Sequence, residues 1–298
     1  MKKKLLMIGA TVVALLTTPA MGDGMAVKAP PYKPTSEAAY SWTGCYIGAN
    51  GGYAWNTGRS SYRDPNNTAD PVNGIPAAPA FGGLLTTIPL QTNTNGSGWI
   101  GGGVVGCNWQ MGPRIVLGLE GDIDAMGVKG DVSSAASSLG GFQIGPALSS
   151  NGASGTMNEQ VSLRWLSTLR ARVGSRVLED RGLLFVTGGL AVGSISSSGS
   201  VDVFPTFAFP GTGITWGGSS SSTRIGPAVG GGFEYALTDH WTVKTEYLYY
   251  NLGRISHPLN LTTNTTPIQS SSLYPTLGSV SSPVGGSIVR VGLNFRLN

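Results

Sequence analysis

The chain is poor in charge, histidine and cysteine. Charged residues make up 11% of its 298 residues, less than half of the roughly 25% that is usual. Its two histidines, His240 and His257, show no zinc-binding spacing, and its two cysteines cannot supply a disulfide-rich scaffold. Because 40% of the residues are hydrophobic, a disordered chain is excluded as well.

Long apolar runs are also scarce. Lys2, Lys3 and Lys4 precede an apolar run of about 12 residues, and small residues follow it, which is typical of a secretory signal peptide cleaved after Gly22 or Ala26. A membrane anchor is the alternative, but a spanning helix needs about 20 apolar residues. We therefore expect a signal peptide at 1–22, a Pro-rich linker at 23–41 and one domain at 42–298.

Removal of the signal peptide lowers the net positive charge of the chain. Without its three lysines the chain has 16 basic and 15 acidic residues, so net charge gives no reason to expect nucleic-acid binding. No second run of 18 apolar residues follows. The mature chain is therefore either soluble or a closed β-barrel, which can cross a membrane without such a run.

Short alternating segments recur after the linker, and polar stretches rich in Gly, Ser, Thr, Asn and Pro separate them. The eight predicted strands are 42–55, 98–109, 115–125, 161–174, 183–195, 224–237, 241–252 and 286–297. The spacers alternate between long and short, as do the external loops and periplasmic turns of outer-membrane barrels. The pattern predicts an all-β, eight-stranded, antiparallel up-and-down transmembrane barrel.

Alternation within the strands separates an apolar face from a polar one. In the third strand, Leu119 and Ile123 share a face opposite Glu120 and Asp122. The same reasoning places Leu163 on the apolar face of the fourth strand and Arg164 on its polar face. A soluble barrel with an apolar interior would show the same alternation.

Aromatic residues favour the membrane orientation. Trp55 and Trp99 flank the first long spacer, while Trp109 and Trp241 lie beside short turns. Two belts of this kind mark the two interfaces of a transmembrane barrel. The alternative is that these rings close the ends of an ordinary core.

Motifs for chemistry are missing or lack their context. Residues 101–106 satisfy G-x-G-x-x-G, but that fingerprint must open a helix, and this segment reads as a strand. No G-x-S-x-G elbow occurs. We therefore predict no catalytic residue, no cofactor and no metal, although a Ser/His/acid site assembled from loops stays open.

Particular stretches resemble a known family. Residues 42–55 (WTGCYIGANGGYAW), 230–253 (GGGFEYALTDHWTVKTEYLYYNLG) and 289–296 (VRVGLNFR) look like the first and last strands of the bacterial outer-membrane immunogenic proteins, which have an OmpA-like eight-stranded barrel. The resemblance implies an outer-membrane location and a surface or envelope role. It implies no catalytic residues.

We therefore expect a structural, surface-exposed outer-membrane barrel whose polar lumen is plugged by ion pairs. The alternatives are a narrow porin for small solutes and a surface protein whose loops bind an adhesion target or ligand. The expected lumen network comprises Glu120, Asp122, Asp124, Arg170, Arg172, Glu234, Lys244, Glu246 and Arg290. Glu120 and Asp122 should meet Arg170 or Arg172, and Lys244 and Glu246 should meet Glu234 or Arg290.

Two further pairs of residues are candidates for a disulfide and for an assembly signal. Cys45 and Cys107 should lie near the periplasmic rim on neighbouring strands, either as a disulfide or as two lipid-facing thiols. Members of the family typically end on an aromatic residue that the outer-membrane assembly machinery reads. Here Leu297 takes that position, so Phe295, on the same face, is the candidate assembly signal.

The expected partners follow from this location. They are outer-membrane lipid, lipopolysaccharide and the assembly machinery, and no nucleic acid. The sequence leaves the oligomeric state open.

Overall fold

A computed structural model describes residues 40–63, 91–139, 142–143, 149–150, 153–205, 213–264 and 276–297. The predicted signal peptide, and all but the last two residues of the linker, lie outside this part. Within the described part there is no helix long and apolar enough to cross a membrane.

The described chain consists of strands and short connections. The strands are β1 (Gly44–Arg63), β2 (Gln91–Met111), β3 (Ile115–Leu139), β4 (Phe142–Gln143), β5 (Ser149–Ser150), β6 (Ala153–Val177), β7 (Gly182–Pro205), β8 (Ile214–Ala236), β9 (Trp241–Asn264) and β10 (Thr276–Arg296). Eight of them close into an antiparallel barrel in the order β1-β10-β9-β8-β7-β6-β3-β2, while β4 and β5 pair separately. The predicted eight-stranded antiparallel barrel is confirmed.

The register sets the tilt of the strands. Stepping from Cys45 through successive paired residues around the barrel leads back to β1 at Trp55, ten residues further along. For eight strands this stagger corresponds to a tilt of roughly 40°. A barrel of eight strands has an interior that side chains can fill.

The strands are longer than the sequence indicates, and the difference lies at the end away from the short turns. Five of the eight barrel strands run for nine or more residues beyond the predicted limit at that end, as β7 does in reaching Pro205. Two-residue strands β4 and β5 were not predicted. Serine-rich stretches such as 196–200 form these extensions, and because they lack alternating hydrophobicity, periodicity does not reveal them.

The outer face carries an apolar belt between two rings of aromatics. The belt includes Val105, Leu119, Ile123, Leu169, Val186, Leu190, Val229 and Val291, each about half exposed or more. Along β2, the exposed Trp99 and Trp109 lie ten residues apart, which at this tilt is about 26 Å. The hydrophobic band of a transmembrane barrel is about 25 Å tall. The predicted outward apolar face is therefore confirmed.

A β-bulge corrects the predicted faces of β6. The register shifts between Leu163 and Trp165, so Leu163 is buried in the lumen and Arg164 is exposed outside. The sequence assignment of these two residues was wrong because one extra residue in a strand reverses the faces beyond it.

Candidate functional site

The nine residues expected to form the lumen network all point into the barrel. They come from β3 (Glu120, Asp122, Asp124), β6 (Arg170, Arg172), β8 (Glu234), β9 (Lys244, Glu246) and β10 (Arg290). None is more than 5% exposed. The structure thus brings together, in one layer, charges that are separated by as many as 170 residues of sequence.

Several ion pairs in this layer cross the lumen. Lys244 of β9 contacts Glu120 of β3 at 2.7 Å, and these two strands are four apart in a ring of eight, hence on opposite walls. Arg170 reaches Glu246 at 2.5 Å. Arg290 binds Asp122 at 2.6 Å and Asp124 at 2.7 Å. These ion pairs bring side chains from opposite walls into contact in the middle of the lumen.

Most of the expected partners meet, and one does not. Arg170 binds Glu120 and Asp122, and Arg290 binds Glu246 at 2.7 Å. Lys244 was expected to bind Glu234 or Arg290, and that assignment was wrong, since its ammonium lies on Glu120. Glu234 is the residue paired with Lys244 across β8 and β9, but the ammonium contacts the opposite wall instead, and the order of strands in the sequence does not show such a contact.

Neutral donors complete the layer. Five carboxylates face four cations, and the hydroxyl of Tyr46 donates to Glu120 at 2.6 Å. Thr242 and Asn294 donate to Glu234 at 2.5 and 2.9 Å. Arg172 lies between the rings of Tyr46 and Phe185, 5.3 and 5.1 Å from their centres. Burying charge is tolerated only where such partners exist.

Beyond the ionic layer, toward the long connections, the lumen is apolar. Sixteen buried side chains pack there: Ala54, Ile100, Met126, Val128, Val161, Leu163, Leu166, Ala191, Ile195, Ala228, Leu248, Tyr250, Leu252, Ile255, Val284 and Ile288. The prediction of a polar lumen is therefore wrong for this layer. Strands here are apolar on both faces, so alternation gives no sign of which side chains turn inward.

A third cluster, which is polar, lies beyond the ring of aromatics nearer the long connections. This ring contains Trp55 and Trp99, and we call it the outer aromatic ring. Glu159 is six residues beyond Trp165 on β6, and its Oε1 accepts hydrogen bonds from Ser197 at 2.8 Å and Ser282 at 3.1 Å. Ser197 also contacts Nδ1 of His257 at 3.1 Å. Burial raises the pKa of Glu159 to about 7, against the smaller lowering effect of the two hydroxyls, and burial lowers the pKa of His257.

Aromatic side chains close the end of the barrel that carries the short turns. Trp42 is 1% exposed, packs edge-to-face on Tyr40 at 5.0 Å, and donates its indole N–H to the carbonyl of Asp180 at 2.9 Å. Val116 and Leu183 join this cluster. No sequence pattern indicates this seal, because Tyr40 lies in the predicted linker and Trp42 opens the first predicted strand.

The two cysteines form a disulfide. Cys45 and Cys107 are paired residues of β1 and β2, and their sulfurs are bonded. Of the two expectations, the structure shows the bridge. It joins the strands near the end that Trp42 closes.

The candidate assembly residues lie side by side on the outer face. Phe295 and Leu297 are 37% and 49% exposed. The ring of Phe295 contacts Trp241 with ring centres 5.1 Å apart, and the amide of Leu297 donates to the carbonyl of Cys45 at 2.8 Å. The last strand is therefore tied to both of its neighbours.

Comparison with known proteins identifies the family. The outer membrane protein beta-barrel domain matches residues 24–271. The chain is also 31% identical to the 31 kDa outer-membrane immunogenic proteins of Brucella melitensis and Brucella suis, over 96% of this chain and 97% of theirs.

The chain belongs to the outer-membrane protein β-barrel family. The protein is therefore located in the outer membrane, and its apolar belt is the surface that faces lipid. Solved outer-membrane barrels share less of its sequence than the Brucella proteins do. OprG from Pseudomonas aeruginosa gives a TM-score of 0.41 at 13% identity over 87% of this chain and 99% of its own. Ail of Yersinia pestis gives 0.24 at 11% identity over 83% and 99%.

Proposed function

We propose that this outer-membrane barrel is a closed, structural surface protein whose lumen does not conduct solutes. The observation that carries the proposal is the Lys244–Glu120 pair, which joins opposite walls of the barrel at 2.7 Å. Arg170 and Arg290 add further bonds across the same layer. Opening a path here requires separating buried charges, and breaking one buried pair costs about 3–5 kcal/mol.

Two further layers support the same conclusion. The sixteen buried side chains beyond the ionic layer are aliphatic apart from Met126 and Tyr250, so this layer excludes water and offers a polar solute little to bind. Trp42 and Tyr40 close the opposite end. A solute would therefore have to pass three obstacles of different chemistry in series.

We propose a non-catalytic role as well. In the described residues, the nearest approach to a Ser/His/acid set is Ser197, His257 and Glu159. The side chains of His257 and Glu159 are fully enclosed, and Ser197 is 1% exposed. A nucleophile in this setting cannot meet a substrate without unfolding of the barrel wall.

Liposome swelling tests the proposal. Liposomes containing the folded protein are diluted into isotonic arabinose, glycine or sucrose, with protein-free liposomes and a sixteen-stranded porin as the two references. We expect the protein to match the protein-free liposomes for every solute. Swelling that depends on solute size, at a rate between the two references, would instead establish the narrow-porin alternative.

A further inference from the structure

The polar cluster around Glu159 contains two buried polar atoms that face each other. Oε2 of Glu159 and Nε2 of His257 lie 3.6 Å apart, and both side chains are fully enclosed. That distance is too long for a hydrogen bond, and among the described residues neither atom has a hydrogen-bond partner. Buried polar atoms without a partner are rare, so this pair calls for a physical explanation.

Hydrogen bonds on the far side of both groups determine what these two atoms can do. The hydroxyl of Ser197 donates to Oε1 of Glu159 at 2.8 Å. Because a hydroxyl has one hydrogen, its contact with Nδ1 of His257 at 3.1 Å requires that Nδ1–H donates and Ser197 accepts. In the neutral imidazole, Nε2 then presents a lone pair, and an ionised carboxylate is acceptor-only. Two lone pairs therefore meet with no hydrogen between them.

A glycine leaves room beside these lone pairs. Gly199 of β7 is the residue paired with Glu159. A Cβ at Gly199 would lie 2.4 Å from Oε2 of Glu159 and 3.3 Å from Nε2 of His257. An alanine methyl group would therefore occupy the space beside both atoms, and its absence leaves that space to a small ion.

The separation of the two atoms suits a metal ion. Zinc binds histidine nitrogen at about 2.0–2.1 Å and carboxylate oxygen at about 2.0–2.2 Å. With these bond lengths, the separation of 3.6 Å corresponds to a ligand–metal–ligand angle of roughly 120°, which fits a distorted tetrahedron. Imidazole together with carboxylate suits divalent transition metals, whereas Ca²⁺ and Mg²⁺ take oxygen ligands.

The hydrogen bonds around the pair match those that surround bound metals. A metal-binding histidine nearly always donates its other ring N–H to a fixed acceptor, and metal-binding carboxylates are themselves hydrogen-bonded. Here His257 donates to Ser197, and Oε1 of Glu159 accepts from Ser197 and Ser282. Both groups are therefore held with their unpartnered atoms toward the same point.

Backbone pairing is interrupted on two sides of the cluster. Within the described strands, residues 251–259 of β9, which include His257, have no paired residue in β8. Residues 56–60 of β1 and 282–286 of β10 are likewise unpaired with each other. Both interruptions lie beyond the outer aromatic ring. A local opening there admits an ion without separating the charges of the ionic layer.

We propose that Glu159 and His257 bind a divalent transition-metal ion of the zinc type through Oε2 and Nε2. The ion joins β6 to β9, which are separated in the barrel by β7 and β8, and so clamps the outer end of the wall. Among the described residues no third His, Cys, Asp or Glu completes the set, so water fills the remaining positions. The expectation of no metal rested on sequence spacing, which does not detect ligands from different strands.

Metal binding by the folded full-length protein tests the proposal. Protein without a polyhistidine tag is treated with a chelator in detergent, and Zn²⁺ binding is then measured by isothermal titration calorimetry near neutral pH. The test variants are His257→Ala and Glu159→Gln. The matched control is His240→Ala, which removes the other histidine, exposed in the turn between β8 and β9. Heat-modifiable migration on gels verifies that each variant is folded.

We expect wild type and His240→Ala to bind a single Zn²⁺ with the same affinity, and each test variant to bind at least about tenfold more weakly. Millimolar Ca²⁺ should leave the zinc bound. No zinc binding by wild type, or equal affinities of wild type and His257→Ala, would overturn the proposal. Loss of binding in His240→Ala would also overturn it, as would displacement of zinc by Ca²⁺.

A milder variant keeps the test decisive if the ligand changes prevent folding. Ser197→Ala retains both ligands but removes the acceptor that orients His257. Loss of such a partner weakens metal binding by about 10–100-fold, and we expect a loss of that size. Ser197→Thr retains a hydroxyl and should bind zinc as wild type does. Unchanged zinc affinity in Ser197→Ala would overturn the proposal.

A stability measurement gives a second, independent readout. An ion that binds only the folded state stabilises that state. Saturating Zn²⁺ should therefore raise the temperature at which wild type loses its fast-migrating folded form on gels, and it should not do so for Ser197→Ala at the same zinc concentration. An unchanged temperature for wild type would count against the site.

Discussion

At the scale of single residues, glycine makes room for the charged layer. Gly189 on β7 faces inward, and a Cβ there would collide with the backbone carbonyl of Leu169 and lie 2.7 Å from the Cα of Arg170. Gly188, its neighbour, faces lipid and has no atom near a would-be Cβ. Adjacent glycines therefore differ, and only the inward one is needed for the close approach of β7 to β6 at Arg170.

This contrast predicts different outcomes for two alanine variants. Gly189→Ala should lower the free energy of unfolding by about 1–3 kcal/mol, because the strand pair must separate to accept the methyl group. Gly188→Ala, its matched control, should leave stability unchanged or raise it slightly. Urea titrations followed by heat-modifiable migration measure both. Equal stabilities would show that β7 is not packed as closely on β6 as described.

Glu159 predicts a dependence of stability on pH. Its pKa is raised from 4.5 to about 7 in the folded protein, so the folded state holds the proton more tightly than the unfolded state. Its contribution to stability is complete below about pH 4.5 and is lost as the pH rises through about 7.

Glu159→Gln should therefore stabilise the barrel at pH 8 by about 1–3 kcal/mol and have little effect at pH 4. The amide oxygen can still accept the hydrogen bond from Ser197. The stability difference is measured at each pH as the temperature at which the fast-migrating folded form on gels is lost. Asp131→Asn, which changes an exposed carboxylate, is the control. A gain of equal size at both pH values would contradict a raised pKa.

At the scale of strands, period-two alternation identifies the outward residues wherever the inward face is polar. The outward sets of β3, β9 and β10, such as Leu119, Tyr247 and Val291, follow from period two alone. Alternation does not identify the inward face where both faces are apolar, as at Leu248 and Ile288. Alternation is also misleading at Leu163 and Arg164, because a bulge is a property of two paired strands and the sequence of one strand does not mark it.

The disulfide ties the first two strands together across the connection from Arg63 to Gln91. Its loop spans 62 residues, and closing such a loop in the unfolded chain is worth on the order of 4 kcal/mol. Cys45→Ser/Cys107→Ser should accordingly unfold at lower urea concentration. Unreduced, denatured wild-type protein should show no free thiol with a thiol reagent, and two thiols would contradict the bridge.

The aromatic residue near the end of β10 is expected to control insertion into the outer membrane. Phe295 is the nearest aromatic to the C-terminus, and it packs on Trp241 of β9. We expect Phe295→Ala to lower outer-membrane insertion sharply, whereas Leu297→Phe with Asn298 removed should raise it. Tyr53→Ala, which removes an exposed aromatic from the other ring, is the control. Quantitative immunoblots of outer-membrane fractions should separate these forms. Equal yields would show that a terminal aromatic does not control assembly here.

At the scale of the whole molecule, the barrel is a stack of layers. From the periplasmic end these are the Trp42 seal, the ionic layer around Arg170, the apolar layer around Leu166 and the polar cluster at Glu159. The ionic layer was predictable, because its charges alternate with apolar residues in four strands. The apolar layer was not, because inward leucines look like lipid-facing ones.

Single-channel recording in planar bilayers tests the closed lumen most directly. Purified, folded protein is added at increasing amounts under an applied voltage, and insertion is verified independently by protease protection of the incorporated protein. We expect a bilayer with inserted protein but no unitary current steps, because three layers block the path of ions. Reproducible steps of uniform size from the wild-type protein would contradict it and identify the lumen as a pore.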